Sequence, residues 1–538
     1  MTTAMLLLRI HRRSITGVAL LLVVLSALQA SGYAAVAGDT PEERAAFAAQ
    51  SEGLAHQLTY LAPAPTELET LGGYVTWRVF GALPLFLGLW AVWLAVSALR
   101  GCEEASVTES LLSCGVRRRG LVVAAALAFG VATALYMGGV VIGLVATSAG
   151  ELPVADVALQ ALAVGGVLIF VFGLGGVAAQ VGGSRRSAFA VGAAVLFGLN
   201  LINSVGSASE SLAIARVLSP LSWYSASAPL ARGGNFSATG TVGLAVFGTL
   251  LLWAASLAFD HRDVNRPLVV RRASVHTPSR APSGTTFYRV PVVAALYEQR
   301  SALAWWTLAL LSQVAFFVGV APGMVGVLEG VPQLRRYLAT ITGGDVERGL
   351  ISLLLVGTIQ LVLALFAISS VARWARDDSS GRLELDLSAP VTRTTIVLRR
   401  AVALAAATAL LSFTAMSAMV WLADARGIDF ALDRTVLAAV LLVPFTVAVG
   451  AVGALWTSWR PAGAVAVLTG ATVAGYFIQE VTPLYGWPDW LMNVSLFRLY
   501  GNPLVGAVDP EKVTALSAVA LGGFVGASLL MRARDVGS

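Results

Sequence analysis

Apolar runs of about twenty residues, separated by short polar stretches, fill this chain from end to end. Such a run crosses roughly 30 Å of hydrocarbon as a helix, and a helix satisfies its own backbone polar groups in lipid. Twelve spans can be drawn, near residues 14–36, 79–99, 121–146, 157–179, 187–206, 241–259, 303–322, 350–372, 401–422, 436–456, 464–480 and 513–531. The pattern predicts an all-α polytopic membrane protein. Composition agrees, with 57% hydrophobic and 12% charged residues, where soluble domains carry roughly a quarter charged residues. The mean hydropathy is +0.78.

Arginine sorts the two faces. Arg9, Arg12 and Arg13 precede span 1, Arg100 and Arg117 to Arg119 lie between spans 2 and 3, and Arg185 and Arg186 lie between spans 4 and 5. Arg262 follows span 6, and the second half repeats the pattern at Arg373, Arg393, Arg460 and Arg532. The acidic stretch Asp39 to Glu43 falls on the other side. Positive-inside reasoning puts both termini in the cytoplasm of a multi-pass plasma-membrane protein. The net charge of +6 in such patches marks orientation and does not indicate nucleic acid. Arg12-Arg13, an apolar stretch and Ala35-Val36-Ala37 imitate a signal peptide. Cleavage there would leave an odd number of helices, so the segment is read as a retained span.

The chain repeats itself. Residues 103–118 recur 275 positions later as 378–393, with Glu109 on Glu384, Leu112 on Leu387, Ser113 on Ser388, Val116 on Val391 and Arg118 on Arg393. Arg185 maps to Arg460 at the same offset, Pro229-Leu230 to Pro503-Leu504 at offset 274, and Arg262-Asp263-Val264 to Arg534-Asp535-Val536 at offset 272. These anchors imply a duplicated six-helix unit: residues 1–264, a Pro-, Ser- and Arg-rich linker at 265–290, and residues 291–538. An even number of spans per half gives parallel repeats related by an axis along the membrane normal. Val290 to Arg300 predicts a short amphipathic helix before span 7.

The remaining chemistry is sparse. There is no G-x-x-x-x-G-K-[ST] loop, and Lys512 is the sole lysine, so this chain does not bind ATP by that route. Cys102 and Cys114 fit no common metal spacing, and His11, His56, His261 and His276 are scattered outside the spans. No metal site or catalytic triad emerges. Within the spans the polar residues are Asn200, Asn203, Gln313 and Gln360, with Gln479 and Glu480 at the end of span 11. Such amides either bond across helices or line a path. Intramembrane carboxylates mark proton relays, and the centres of these spans carry none. Energy for transport would have to enter elsewhere, and the repeated polar segment is the place for it. Glu109 and Glu384 are each expected to begin a short polar helix able to rest in a groove of a cytosolic partner.

The run Asp378 to Arg393, with Gly381, Leu383-Glu384-Leu385 and Pro390-Val391-x-Arg393, resembles the loop after the second helix in ABC-2 type permeases of ABC exporters. The closing elements Phe259 to Val264 and Met531 to Val536, and the outer-loop stretch Leu218-Ser219-Pro220-Leu221-Ser222-Trp223-Tyr224 leading to Pro229-Leu230, also resemble that family. A fused twelve-span version is similar to actinobacterial exporters of polyketide antibiotics and multidrug efflux components. The first copy departs from the pattern, with Ser106 for Gly, Thr108 for Leu and Gly115 for Pro.

The resemblance implies two six-helix halves forming a pseudo-dimer around a path. It implies a separate ABC ATPase subunit in two copies, which binds the ATP and Mg; this chain holds no cofactor. Docking would involve Glu103, Glu109, Arg118, Asp378, Glu384, Pro390 and Arg393. The path, through spans 2, 5, 8 and 11, would be lined by Phe86, Trp90, Phe197, Asn200, Asn203, Gln360, Phe366, Tyr476 and Phe477. That lining suits a lipophilic small molecule entering from membrane lipid. The chain itself is then not an enzyme. The alternative, a secondary transporter of the major facilitator type, would show intramembrane carboxylates and a Gly-x-x-x-Asp-Arg-x-Gly-Arg-Arg-like loop, and neither is present.

Overall fold

A computed structural model describes residues 3–58, 67–208, 214, 216–268, 291–328, 346–460, 463–485, 495–501, 503–504 and 508–534. The described residues form helices and connecting turns, with no strand among them. The chain divides into two compact units, Met1–Pro278 and Ser279–Ser538, each with its own apolar core.

In the first unit the helices are α1 (Thr3–Ser31), α2 (Pro41–Leu58), α3 (Leu71–Glu104), α4 (Val107–Ser113), α5 (Arg118–Thr147), α6 (Val154–Val181), α7 (Arg185–Ala208), α8 (Leu221–Ser225) and α9 (Ala238–His261). The second unit has α10 (Pro291–Glu298), α11 (Arg300–Leu328), α12 (Val346–Ser379), α13 (Arg382–Ser388), α14 (Arg393–Asp424), α15 (Leu432–Trp459), α16 (Ala464–Tyr485), α17 (Leu496–Tyr500) and α18 (Pro510–Ala533). Among the described residues eleven helices are long and apolar enough to cross a membrane. The span expected at 464–480 falls on α16, whose described apolar run Ala464–Gln479 is shorter. The protein is thus a multi-pass membrane protein, with eleven spans by this measure where twelve were expected.

In the first unit α6 is the most buried span, packed along α9, α3 and α5; in the second α15, buried as deeply as α12, packs along α18, α14 and α12. Lipid offers no hydrophobic drive between helices, so close backbone approach does the work. At the α6–α9 crossing a Cβ on Gly173 would stand 2.4 Å from the Gly248 carbonyl oxygen, and only glycine fits.

A second pair of contacts recurs. Ser219 Oγ donates to the Leu199 carbonyl at 2.8 Å and accepts from the Leu221 amide at 3.3 Å. In the second unit Ser495 Oγ donates to the Gly475 carbonyl at 2.8 Å and accepts from the Phe497 amide at 3.2 Å. The Tyr224 hydroxyl donates to the Phe80 carbonyl at 2.7 Å, and that of Tyr500 to the Ala438 carbonyl at 3.0 Å. Burial raises both phenol pKa values above the usual range. Ser219, Leu221 and Tyr224 precede Ser495, Phe497 and Tyr500 by 276 positions. One sequence anchor behaves differently: Arg185 opens α7, whereas Arg460 closes α15.

The structure also adds elements. The acidic stretch Asp39 to Glu43 opens α2, with Thr40 and Glu43 forming a capping box: the Asp39 and Thr40 amides donate to Glu43 Oε2 at 3.0 and 3.2 Å. The Glu43 amide donates to Thr40 Oγ1 at 3.2 Å. Those backbone donors hold the Glu43 carboxyl below its ordinary pKa. The short helix expected before span 7 is α10. Helix α1 starts at Thr3, so His11 sits within it and not outside the spans. Most of the expected linker, 269–290, lies outside the described residues. Its first residues are pinned to the first unit, with the Leu268 amide on the Gln180 carbonyl at 2.9 Å.

Candidate functional site

The repeated segment forms a helix–turn–helix insert in both units, and the boundaries of α4 and α13 lie 275 positions apart at both ends. Each short helix starts from a left-handed residue, Ser106 at φ 57° and Gly381 at φ 72°. Glycine adopts that conformation freely, whereas an L-residue with a Cβ incurs roughly 1–2 kcal/mol. The Gly-to-Ser difference between the copies is therefore a difference in backbone strain. The helices also end differently. Gly115, at φ 84°, closes α4 in a Schellman turn: its amide donates to the Leu112 carbonyl and that of Val116 to Leu111, at 3.0 and 3.2 Å. In the second copy Ala389 is extended, as the residue before Pro390 must be to avoid its ring. Glycine in one copy and proline in the other each stop the helix.

One face of each helix is buried, through Thr108 at 3% exposure and its counterpart Leu383 at 2%. The other face is open. Glu109 and Ser110 in α4, and Glu384, Leu385 and Asp386 in α13, are exposed. Leu385, at 72% exposure, is an apolar side chain set among acids.

Behind the open face lies a cluster that the sequence did not reveal. Glu103 is buried and receives four donors. Arg100 Nη1 donates at 2.8 Å, Arg262 Nη1 at 3.0 Å and the Asn265 amide at 3.3 Å, all to Oε2, while Arg262 Nη2 donates to Oε1. Arg262 Nε also donates to Gln180 Oε1 at 2.7 Å, and its guanidinium lies 4.9 Å over the Phe259 ring. Arg100 Nη2 reaches the Gly183 carbonyl at 2.8 Å and that of Asn265 at 3.2 Å. A π-helical turn, Ser97–Gly101, carries Arg100. One carboxylate thus ties the ends of α3, α6 and α9 together. Glu103 was expected at a docking surface; its burial and its four donors take it away from any partner.

A second tie runs from the start of α5. Arg118 Nη1 donates to the carbonyls of Phe259, Asp260 and Arg262 at 3.3, 3.2 and 2.6 Å, at the end of α9. In the second unit Arg393 Nη1 makes the same reach, to Met531, Arg532 and Arg534 at 2.9, 3.3 and 2.5 Å. Arginine at a helix C-terminus satisfies carbonyls that have no partner within the helix. The acid is repeated as well, but reduced. Asp378 Oδ2 accepts from Arg534 Nη1 at 2.6 Å. Where Arg100 stands in the first copy, offset 275 places Ala375. Exposure follows: the Glu103 and Arg262 side chains are 1% and 3% exposed, those of Asp378 and Arg534 8% and 29%.

Of the residues expected to dock, Glu109, Glu384 and Pro390 are exposed. Glu109 Oε1 accepts from Asn265 Nδ2 at 2.9 Å. Arg118, Arg393 and Asp378 hold the segment from behind.

The expected path residues divide. Phe366 is fully buried and edge-on to Trp306, with ring centroids 6.0 Å apart, and Gln360 is 4% exposed. Both pack the core of the second unit, so neither lines an open path. Trp90 donates to the Tyr136 hydroxyl at 2.9 Å and stacks on Trp93, and Asn203 donates to Ser225 at 3.2 Å. The Tyr136 and Ser225 bonds join different helices, while the Trp90–Trp93 stack lies within α3. Tyr476 and Phe477 lie edge to face, and Tyr476 also meets Phe497. Asn200 is half-buried, while Phe86 and Phe197 are 68% and 49% exposed.

Residues 289–532 match the family described as "Multidrug efflux system permease Rv1217c, C-terminal domain". The second unit is similar to a permease domain. The match takes in helices α10 to α17 and nearly all of α18. Among curated proteins none matches.

Proposed function

We propose that this chain is the transmembrane permease of an ATP-driven exporter of the ABC-2 type, moving a lipophilic compound out of a bacterial cell. The observation that carries the reading is the pair of open-faced helices, α4 and α13, at the same register in both units. Each is buried on one side and acidic on the other. The match of the second unit to a multidrug efflux permease domain supports a transport role. The arginine-rich end faces the cytoplasm, and an ATPase subunit supplying the phosphate loop, ATP and Mg docks there against each helix. Glu109 and Glu384 present charge to it, and Leu385 seats in an apolar notch. The two units are copies of one ancestral six-helix permease, supported by the paired Ser, Tyr and Arg contacts.

Reversing the charge with Glu384→Arg is expected to leave membrane insertion and thermal stability unchanged, because the side chain is exposed. Transport and partner-stimulated ATP hydrolysis should both fall at least about tenfold, the equivalent of roughly 1.4 kcal/mol of lost coupling. Normal efflux from the Glu384→Arg cells would remove the docking role.

A further inference from the structure

The coupling segment is covalently continuous with two spans, the helix before it and the helix after it. The side-chain ties reach a third. In both units the arginine that opens the following span grips the carbonyls at the end of the last span, and the acid that closes the preceding span pairs with an arginine just beyond it. Arg118 holds Phe259, Asp260 and Arg262 while Glu103 holds Arg262. Arg393 holds Met531, Arg532 and Arg534 while Asp378 holds Arg534. Thr394 adds a further tie, accepting from Arg532 Nε at 3.0 Å.

Resting on the functional reading above, we propose that these contacts form a clasp through which partner-driven motion of the coupling segment is passed to the last span of each unit. Arg262 and Arg534 are its positioning residues: their side chains join the end of the last span to the acid that closes the preceding span. Two features fit this role. Arg118 and Arg393 grip backbone carbonyls, so their part of the clasp does not depend on rotamers at the far side. The last spans α9 and α18 are also the helices laid most extensively along the buried α6 and α15, so their displacement is felt in the centre of each unit. Among the described residues Glu103 accepts four hydrogen bonds and Asp378 one, so the first clasp is the tighter of the two.

The test reads distances within the second unit by double electron–electron resonance, on the full complex, with Cys102 and Cys114 replaced by serine. One label pair, Trp305→Cys with Leu385→Cys, reports the coupling helix; another, Trp305→Cys with Leu521→Cys, reports the last span. All three sites are exposed. On trapping with ADP and vanadate both distances should shift. With Arg534→Met the coupling-helix shift should persist while the last-span shift falls by half or more. The charge swap Asp378→Arg with Arg534→Asp should restore it, which a purely structural role for Arg534 would not require. The swap also carries the test if Arg534→Met fails to assemble. A last-span shift that survives Arg534→Met undiminished, or no last-span shift in the parent when the coupling helix moves, overturns the clasp. Absence of any nucleotide-dependent shift, with no ATPase bound to the parent chain, overturns the functional reading and the clasp with it.

Discussion

The two copies of the arginine-rich segment carry a short helix at the same register and differ in what fixes it. In the first, a carboxylate is enclosed by two guanidiniums and an amide, behind a short helix that begins at a strained serine and ends at a glycine. In the second, the half-open Asp378–Arg534 ion pair supports a helix that begins at an unstrained glycine and ends before a proline. Each copy departs from the other in backbone and in side chains together. The first places its stability in a buried charge cluster and tolerates backbone strain. The second relaxes the backbone, exposes Leu385, and leaves its acid nearer to solvent.

The largest effect expected from this contrast is on stability. Glu103→Ala strips the counter-charge from two buried arginines, and breaking a buried pair on one side typically costs about 3–5 kcal/mol. Asp378→Ala should cost about 1 kcal/mol, because Arg534 can reach water. Thermal unfolding of the detergent-purified protein, followed by tryptophan fluorescence, separates the two. Equal losses would mean that the clusters are equivalent.

A smaller effect tests the backbone. Ser106→Gly should stabilise by up to about 1 kcal/mol by relieving the left-handed strain, and Gly381→Ala should destabilise by a similar amount. No atom lies within 4 Å of a Cβ placed on Gly381, so the effect there is conformational and not steric. Matched unfolding curves give the sign, and the same sign at both sites would contradict the assignment.

Much of this was legible in the chain. Apolar runs located the long helices, though the first begins at Thr3 and not near 14, because a span must be about twenty residues long and little else competes with that demand. The polar helix around Glu109 and Glu384 was legible from the repeat. What stayed hidden depends on residues far apart. Glu103 and Arg262 lie 159 positions apart and meet only because α3 and α9 both end against α6. Arg262 was visible as a repeated anchor, yet nothing local linked it to Glu103. Phe366 and Gln360 read as path-lining because composition does not say which face of a helix turns inward. Helix α2 was missed for want of an apolar stripe, although Thr40-Pro41-Glu42-Glu43 carries a capping box and a proline at the first helical position.

The central claim is that both open-faced helices dock an ATPase, and site-specific photo-crosslinking in intact membranes tests it most directly. A photoreactive amino acid is placed at Leu385 or at its counterpart Ser110, and the captured protein is sequenced. Capture of an ATPase with a G-x-x-x-x-G-K-[ST] loop is expected at both positions, lost on Glu384→Arg at the second. Capture of lipid alone, or of no such ATPase from cells in which the labelled chain still exports, would contradict it.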